Sequence, residues 1–274
     1  MRICPLASGS NGNCIYVECE GKHFLIDAGI SRKRIVEGLE SIGVMPEQLD
    51  GICITHEHSD HVSGLPVFLK KYPTDLYITE GTLAAIYPRI EAAIDSRLIH
   101  LVKADELVAV DKVRLMPFGT YHDAAEPVGY TIEGENEKFG MATDLGFYDD
   151  YIIRHLSNAQ ILLVEANHDI SMLQAGTYPY MLKKRILGKQ GHLSNVSAGD
   201  LLCELIHDKL QHVYLAHLSK DNNYPELAYE TVRCQLKLKV PGKADGFTIE
   251  VAKRGEPSSV SVTPGGQGQT GGEQ

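Results

Sequence analysis

Three histidines and an aspartate able to bind divalent cations fall within six residues in an HxHxDH pattern, in the run His56-Glu57-His58-Ser59-Asp60-His61. Neutral imidazole and carboxylate are ligands that zinc, manganese and iron all accept. The run follows the apolar stretch GICIT at 51–55. A strand that gives way to a turn there would let His56 and His58 converge on one ion. Asp60 and His61 would turn toward a second ion about 3.5–4 Å away. Three further candidates stand at the ends of apolar stretches: His122 in GTYHDAAEP, Asp144 in GMATDLG and His217 in VYLAHLS. A carboxylate such as Asp144 can bridge two ions, which a neutral imidazole cannot. Two cations placed in this way would hold a bridging water and bring its pKa toward neutrality. They would also offset charge building on a phosphoryl centre, so the chemistry implied is metal-dependent hydrolysis.

The elements that must position these groups can be read from hydrophobic spacing. Short strands are expected at 2–8, 13–19 and 22–27, joined by SGSNGN and EGK turns. A helix over 31–42 follows from the spacing of Ile35, Leu39 and Ile42. Next come the strand 51–55, a helix near 61–72, a strand at 76–79 and a helix at 80–88. Strands near 99–102, 107–110, 112–118, 128–133 and 138–143 read as an antiparallel, hairpin-linked block. Beyond Asp144 the pattern alternates: helix 147–157, strand 160–165, helix 195–208, strand 211–216, helix 225–236. This order predicts an α/β protein with two mixed sheets packed face to face and helices on the outer faces. One domain is expected over 1–254. The stretch 255–274, with six glycines and no large aromatic residue, reads as a disordered tail.

Composition bounds the setting. The 274 residues contain 36 acidic and 26 basic side chains, a formal charge of −10. Such a charge argues against binding nucleic acid through a broad basic face, although bound cations would restore positive charge where substrate sits. No run of about 18 apolar residues is present, so no membrane helix is expected. The first residues lack the basic and apolar segments of a secretory signal. The six cysteines contain no CxxC pair and read as reduced and mostly buried. Together these features predict a soluble cytoplasmic protein.

The order Asp27 (in FLIDAG), HxHxDH at 56–61, His122, Asp144 and His217 resembles the metallo-β-lactamase superfamily over essentially residues 1–240. The resemblance implies an αββα sandwich with two divalent ions, zinc or manganese with iron also admissible. It places His56, His58 and His122 on one ion, Asp60, His61 and His217 on the other, and Asp144 between them. Asp27 would orient the histidine loop from behind, and it also suits a cap for the helix at 31–42.

Within that superfamily the chain departs from β-lactamases, which usually carry cysteine where Asp144 stands. Only 21 residues separate His122 from Asp144, too few for the long arm of tRNA 3′-processing relatives. The 47 residues between Asp144 and His192 cannot hold the inserted domain of β-CASP nucleases. A flavodiiron role is disfavoured because His58 stands where that variant places glutamate and no flavin domain is present. In phosphodiesterases of this superfamily, an acidic residue after the corresponding strand pairs with a histidine before the next helix. Glu165 in EANHD and His192 in GHLSN match that pattern, with His192 placed to protonate the leaving oxygen. Asp60, Glu165 and His192 are thus the candidate catalytic groups. His192 is also an alternative to His217 as the seventh ligand. His168 is either a substrate-side group or structural. The basic run Lys183, Lys184, Arg185 and Lys189 either grips phosphates or is a solvated helix face, as is the trio Arg32, Lys33 and Arg34. Tyr178 and Tyr180 either stack on bases or pack in the core. The whole pattern, including LASGSNGN, RILGKQGHLSN and YLAHLSKDNN, is similar to the bacterial YycJ/WalJ-type group. That similarity implies a 5′→3′ exonuclease on double-stranded DNA. The alternative is a small-molecule hydrolase, either a cyclic phosphodiesterase or a glyoxalase II-like thioesterase.

Overall fold

The computed structural model describes residues 1–243 and 245–263. Its strands are β1 (Arg2–Ala7), β2 (Cys14–Cys19), β3 (Lys22–Ile26), β4 (Gly51–Cys53), β5 (Leu76–Thr79), β6 (Ile99–Val102) and β7 (Val108–Val110). They continue with β8 (Val113–Gly119), β9 (Val128–Glu133), β10 (Lys138–Ala142), β11 (Ile161–Glu165), β12 (His212–Ala216), β13 (Thr248–Val251) and β14 (Ser261–Val262). The α-helices are α1 (Arg32–Ser41), α2 (Ser59–Val62), α3 (Leu65–Lys71), α4 (Glu80–Ile90), α5 (Asp150–Leu156), α6 (Ile170–Ala175), α7 (Tyr180–Ile186), α8 (Asn195–Leu205) and α9 (Pro225–Lys239). Two seven-stranded sheets form, in the orders β14-β1-β2-β3-β4-β5-β6 and β13-β12-β11-β10-β9-β8-β7.

Alternation along the strands builds three apolar layers. In β2, Ile15, Val17 and Cys19 face the layer between the sheets, while Cys14 and Tyr16 face the helices. In β11, Ile161 and Leu163 enter the central layer, while Leu162 and Val164 pack beneath α8 and α9. Both faces of such strands are covered, which is why β11 reads as an unbroken apolar run rather than an alternating one. The layered sandwich expected from the sequence is the fold that forms. Four of the six cysteines are buried in these strands and none is disulfide-bonded. Among the described residues, no helix is long and apolar enough to cross a membrane.

Four expectations are corrected. Strand β6 pairs in parallel with β5 at the edge of the first sheet and does not join the antiparallel block. The chain crosses to the second sheet only after Val102. The helix expected near 61–72 is two pieces, α2 and α3, divided at Ser63 and Gly64. Gly64 lies so close to the preceding loop that an added Cβ would stand 1.8 Å from the Ile30 carbonyl oxygen, which fixes the break. The tail expected from position 255 is ordered to Thr263: β14 pairs antiparallel with β1, and the Ser258 amide donates to the Pro5 carbonyl at 2.9 Å. The remainder of that expected tail, 264–274, lies outside the described residues. Finally, α6 and β13 were not expected, being short segments, whereas α7 is the helix offered above as one reading of the basic run.

Candidate metal centre

The predicted ligands gather at one edge of the sandwich, where strands of both sheets end. His56, His58, Asp60 and His61 occupy the loop and short helix after β4. Asp144 follows β10, Glu165 closes β11, and His217 follows β12, so the second sheet delivers its groups from three neighbouring strands. Three of the positioning residues carry left-handed backbone: Asp27 (φ 63°), Asp144 (φ 54°) and His217 (φ 55°). A side chain with a Cβ adopts this region at a cost, and such residues concentrate at functional sites. Here the turn folds each side chain back over the sheet edge. Close approach completes the frame: an added Cβ on Gly29 would lie 1.7 Å from the Asp60 carbonyl oxygen. Only glycine lets the 27–30 loop support the histidine loop at that distance.

Four overlapping groups of donor atoms result among the described residues, one of them Asp144 with Glu165, His192 and His217, and two of them match the sets expected from the sequence. His56, His58 and His122 form one, with His58 Nδ1 and His122 Nε2 3.2 Å apart. Asp60, His61 and His217 form the other, with Asp60 Oδ2 lying 3.4 Å from His61 Nε2 and 3.3 Å from His217 Nε2. Asp144 lies between them, Oδ2 at 3.1 Å from His61 Nε2 and Oδ1 at 3.6 Å from His122 Nε2. Ligands about 2.0–2.1 Å from a tetrahedral cation stand about 3.4 Å from each other, so these spacings suit shared cations.

Four of the five predicted ligand histidines are fixed from behind by Nδ1, while His58 turns its own Nδ1 toward His122. His61 Nδ1 donates to Asp27 Oδ2 at 2.7 Å, and Asp27 also accepts from the Thr55 amide and hydroxyl. His217 Nδ1 donates to Glu165 Oε1 at 2.7 Å, and His122 Nδ1 to the Gly191 carbonyl at 3.1 Å. His56 Nδ1 lies 3.0 Å from the Thr55 hydroxyl. With those N–H groups engaged behind, each Nε2 presents a lone pair to the site, the tautomer a metal ligand needs. His56 Nε2 and Asp144 Oδ2 are buried with no hydrogen-bond partner, which a bound cation would supply.

Charge gives the same answer. Burial alone would lower the pKa of His61 and His217, yet the carboxylates around them prevail. Asp27 and Asp144 hold His61 well above its ordinary value, and Asp144, Asp60 and Glu165 carry His217 up to about 10. Burial would raise Asp144, but the surrounding histidines keep it well below the usual carboxylate range. This pocket of buried carboxylates therefore attracts positive charge, as protons or as metal ions. The donor set fits divalent cations.

His192 stands beside this set. Its Nδ1 is 2.9 Å from Glu165 Oε1, the same oxygen that His217 uses. Glu165 Oε2 accepts from the amides of Leu145 and Leu193, at 3.0 and 2.9 Å. Burial opposes ionisation of Glu165, but the two histidines bring its pKa to about 2. In turn Glu165 and then Asp144 outweigh burial and raise His192 above the ordinary histidine value. His217, rather than His192, faces Asp60 and His61.

The remaining predicted residues are less central. His168 is 1% exposed, and burial lowers its pKa to about 4. Its main chain, through the Asn195 amide, holds the segment that carries His192. Lys183 donates to the carbonyls of Gln174 and Gly176, Arg185 pairs with Asp123, and Lys189 Nζ sits 5.0 Å over the Phe147 ring, so three of the four basic residues are engaged internally. Tyr180 is 76% exposed rather than packed in the core. Helix α8 is capped by Ser194, while Asn195 is buried against Asn223.

Sequence reasoning missed Asn13, whose Nδ2 lies 3.2 Å from His61 Nε2 and 3.5 Å from Asp60 Oδ2. The sequence carried a signal in the polar SGSNGN turn, although nothing local tied that turn to residue 60. It also missed Glu57, whose carboxylate accepts from the Ala125 amide at 2.8 Å and ties the histidine loop to the His122 loop.

Comparison with known proteins places this arrangement. A family model described as the metallo-beta-lactamase superfamily matches residues 7–174. The chain is 40% identical to exodeoxyribonuclease WalJ of Streptococcus pneumoniae serotype 2 over 84% of its own length and 86% of that protein. It is 37% identical to exodeoxyribonuclease YycJ of Bacillus anthracis over 91% of its length and 94% of the relative. Among solved structures, the metallo-beta-lactamase fold protein YhfI from Bacillus subtilis superposes with a TM-score of 0.69 at 15% identity. That superposition covers 94% of this chain and 98% of YhfI, and it bears on fold alone.

Proposed function

Because this chain belongs to the metallo-β-lactamase superfamily, we propose that it is a two-metal phosphodiesterase acting as a 5′→3′ exonuclease on double-stranded DNA. The observation that carries the reading is the Glu165–His192 pair at 2.9 Å beside the donor sets. A thioesterase has no need of a protonated histidine held at that place, whereas a departing deoxyribose oxygen does. The exodeoxyribonuclease names of relatives aligned over most of the chain support the DNA substrate.

The protein's groups divide the labour. His56, His58 and His122 would hold one cation and Asp60, His61 and His217 the other, with Asp144 shared. Zinc or manganese, and also iron, match these ligand types. When bound, such ions supply Lewis acidity, lowering the pKa of water and offsetting charge on the phosphoryl group. Asp27 and Glu165 orient His61 and His217 from behind. His192, kept protonated by Glu165, donates its proton to the leaving oxygen, and Glu165 keeps the ring turned for that transfer. Lys184 is left to meet flanking phosphates.

A parallel assay with added Mn²⁺ or Zn²⁺ tests this reading, offering linear duplex DNA, bis(p-nitrophenyl) phosphate and a glutathione thioester. The expected result is hydrolysis of both phosphodiesters, with mononucleotides released first from 5′-labelled ends. Turnover of the thioester alone would overturn the reading.

A further inference from the structure

The parallel strands β11, β12 and β13 end side by side, Glu165 beside Ala216 and Leu215 beside Val251. The first two strands deliver Glu165 and His217 to the metal centre. The third delivers Arg254, which none of the chemistry above uses. Arg254 Nη2 donates to the Leu218 carbonyl at 2.9 Å, one residue beyond His217. Its Nη1 is buried without a hydrogen-bond partner, and among the described residues no carboxylate lies within ion-pair distance of this guanidinium. Gly9 makes the room, since an added Cβ there would stand 3.1 Å from Nη1. Arg34 reinforces the positive charge by donating to the Arg254 carbonyl at 3.2 Å.

Arg254 lines a cavity of ≈ 610 Å³ together with Ser8, Leu218 and Tyr224, a size within the range of small-ligand sites. The cavity lies beside the loop that carries His217: the Ser8 hydroxyl accepts from the His217 amide at 2.9 Å. Lys253 and Glu256, also at its wall, pair with each other, while Asp221 acts on the Arg254 charge without forming an ion pair. Tyr224 is 49% exposed at the mouth, its main chain fixed by the Asn223 side chain at 3.0 Å. Nη1 itself is sealed against Gly9, but Arg254 as a residue is only half-buried in this wall, and a guanidinium fork matches a phosphate oxygen. An exposed ring held on a rigid main chain beside it is a stacking platform for a base.

We propose that this cavity is a nucleotide subsite next to the bond being cut, with Arg254 on a phosphate and Tyr224 against a base. The proposal rests on the phosphodiesterase reading and extends it to strand positioning. The test uses Arg254→Gln and Tyr224→Ala in the full chain. Binding of a fluorescein-labelled duplex is followed by anisotropy in EDTA across a salt series, and turnover of bis(p-nitrophenyl) phosphate is measured with metal. Arg254→Gln should weaken DNA binding about tenfold or more and reduce the salt slope by about one. Tyr224→Ala should weaken binding about fivefold or more. Both should hydrolyse the small diester like wild type, since it does not reach the cavity. Duplexes with 5′-phosphate and 5′-hydroxyl ends identify the phosphate: a wild-type preference lost in Arg254→Gln marks the terminal group, and equal weakening marks an internal one. Unchanged DNA binding in both variants, or loss of small-diester turnover in proportion to DNA cleavage, would overturn the subsite alone. Wild-type protein that leaves DNA uncut would overturn the phosphodiesterase reading beneath it.

Discussion

The two sheets supply the site in different ways. The first contributes His56, His58, Asp60 and His61 from one loop after β4, with Asp27 from the neighbouring β3 behind them. The second contributes His122, Asp144, Glu165, His192 and His217 from places spread over 96 positions of the chain, His192 and His217 being joined by Glu165. Both halves use a buried carboxylate to aim a histidine. Asp27 aims one histidine, His61, toward the cations. Glu165 faces two, His192 and His217, so that on the proposed reading its half would hold a cation and also keep a proton. The difference teaches that a run of candidate ligands can be encoded locally, whereas completing both ion sites and pairing Glu165 with His192 needs strand ends brought together by the whole sheet.

Asp144 belongs to both halves, so Asp144→Ala should have the largest effect. We expect loss of phosphodiesterase activity and of bound metal, read by turnover and elemental analysis; full metal content with lost activity would separate the halves. His192→Ala should leave metal content intact and slow DNA cleavage by a factor on the order of 10²–10⁴, the usual worth of a general acid. The deficit should be much smaller on bis(p-nitrophenyl) phosphate, because p-nitrophenolate departs without protonation. Lost metal in this variant would make His192 a ligand instead.

The two carboxylates sharpen the comparison at smaller cost. Asp27→Asn should weaken metal affinity about 10–100-fold, measured by competition with a chelator, and leave the pH profile of the reloaded protein in place. Glu165→Gln should also move the profile. His192 has its pKa raised by Glu165, so the proton donor is competent at low pH and fails as pH rises through that value. Removing the carboxylate lowers the pKa, and the alkaline limb of the rate should shift to lower pH. A profile that does not move would assign Glu165 to His217 alone.

The same division decides how much was legible in the sequence. The run 56–61 was plain because its ligands are adjacent, and Asp27, His122, Asp144 and His217 were found because each follows a recognisable strand. The layers were legible too, since β2 and β11 carry strong apolar patterns. Asn13 and Arg254 were not, because their meaning comes from β1 and β13 ending beside the metal-bearing strands. The strand β14 was hidden in a glycine-rich stretch where two residues pair. Local composition argued for disorder there, and the open edge of β1 supplied the partner that outweighed it.

The central claim is that both halves converge on a pair of cations, and metal stoichiometry tests it most directly. Titration of the metal-free protein with Mn²⁺ or Zn²⁺, followed by elemental analysis after desalting, should give two ions per chain in wild type and fewer in Asp144→Ala. A single ion or none in the wild type, in protein that still cleaves DNA, would contradict the account.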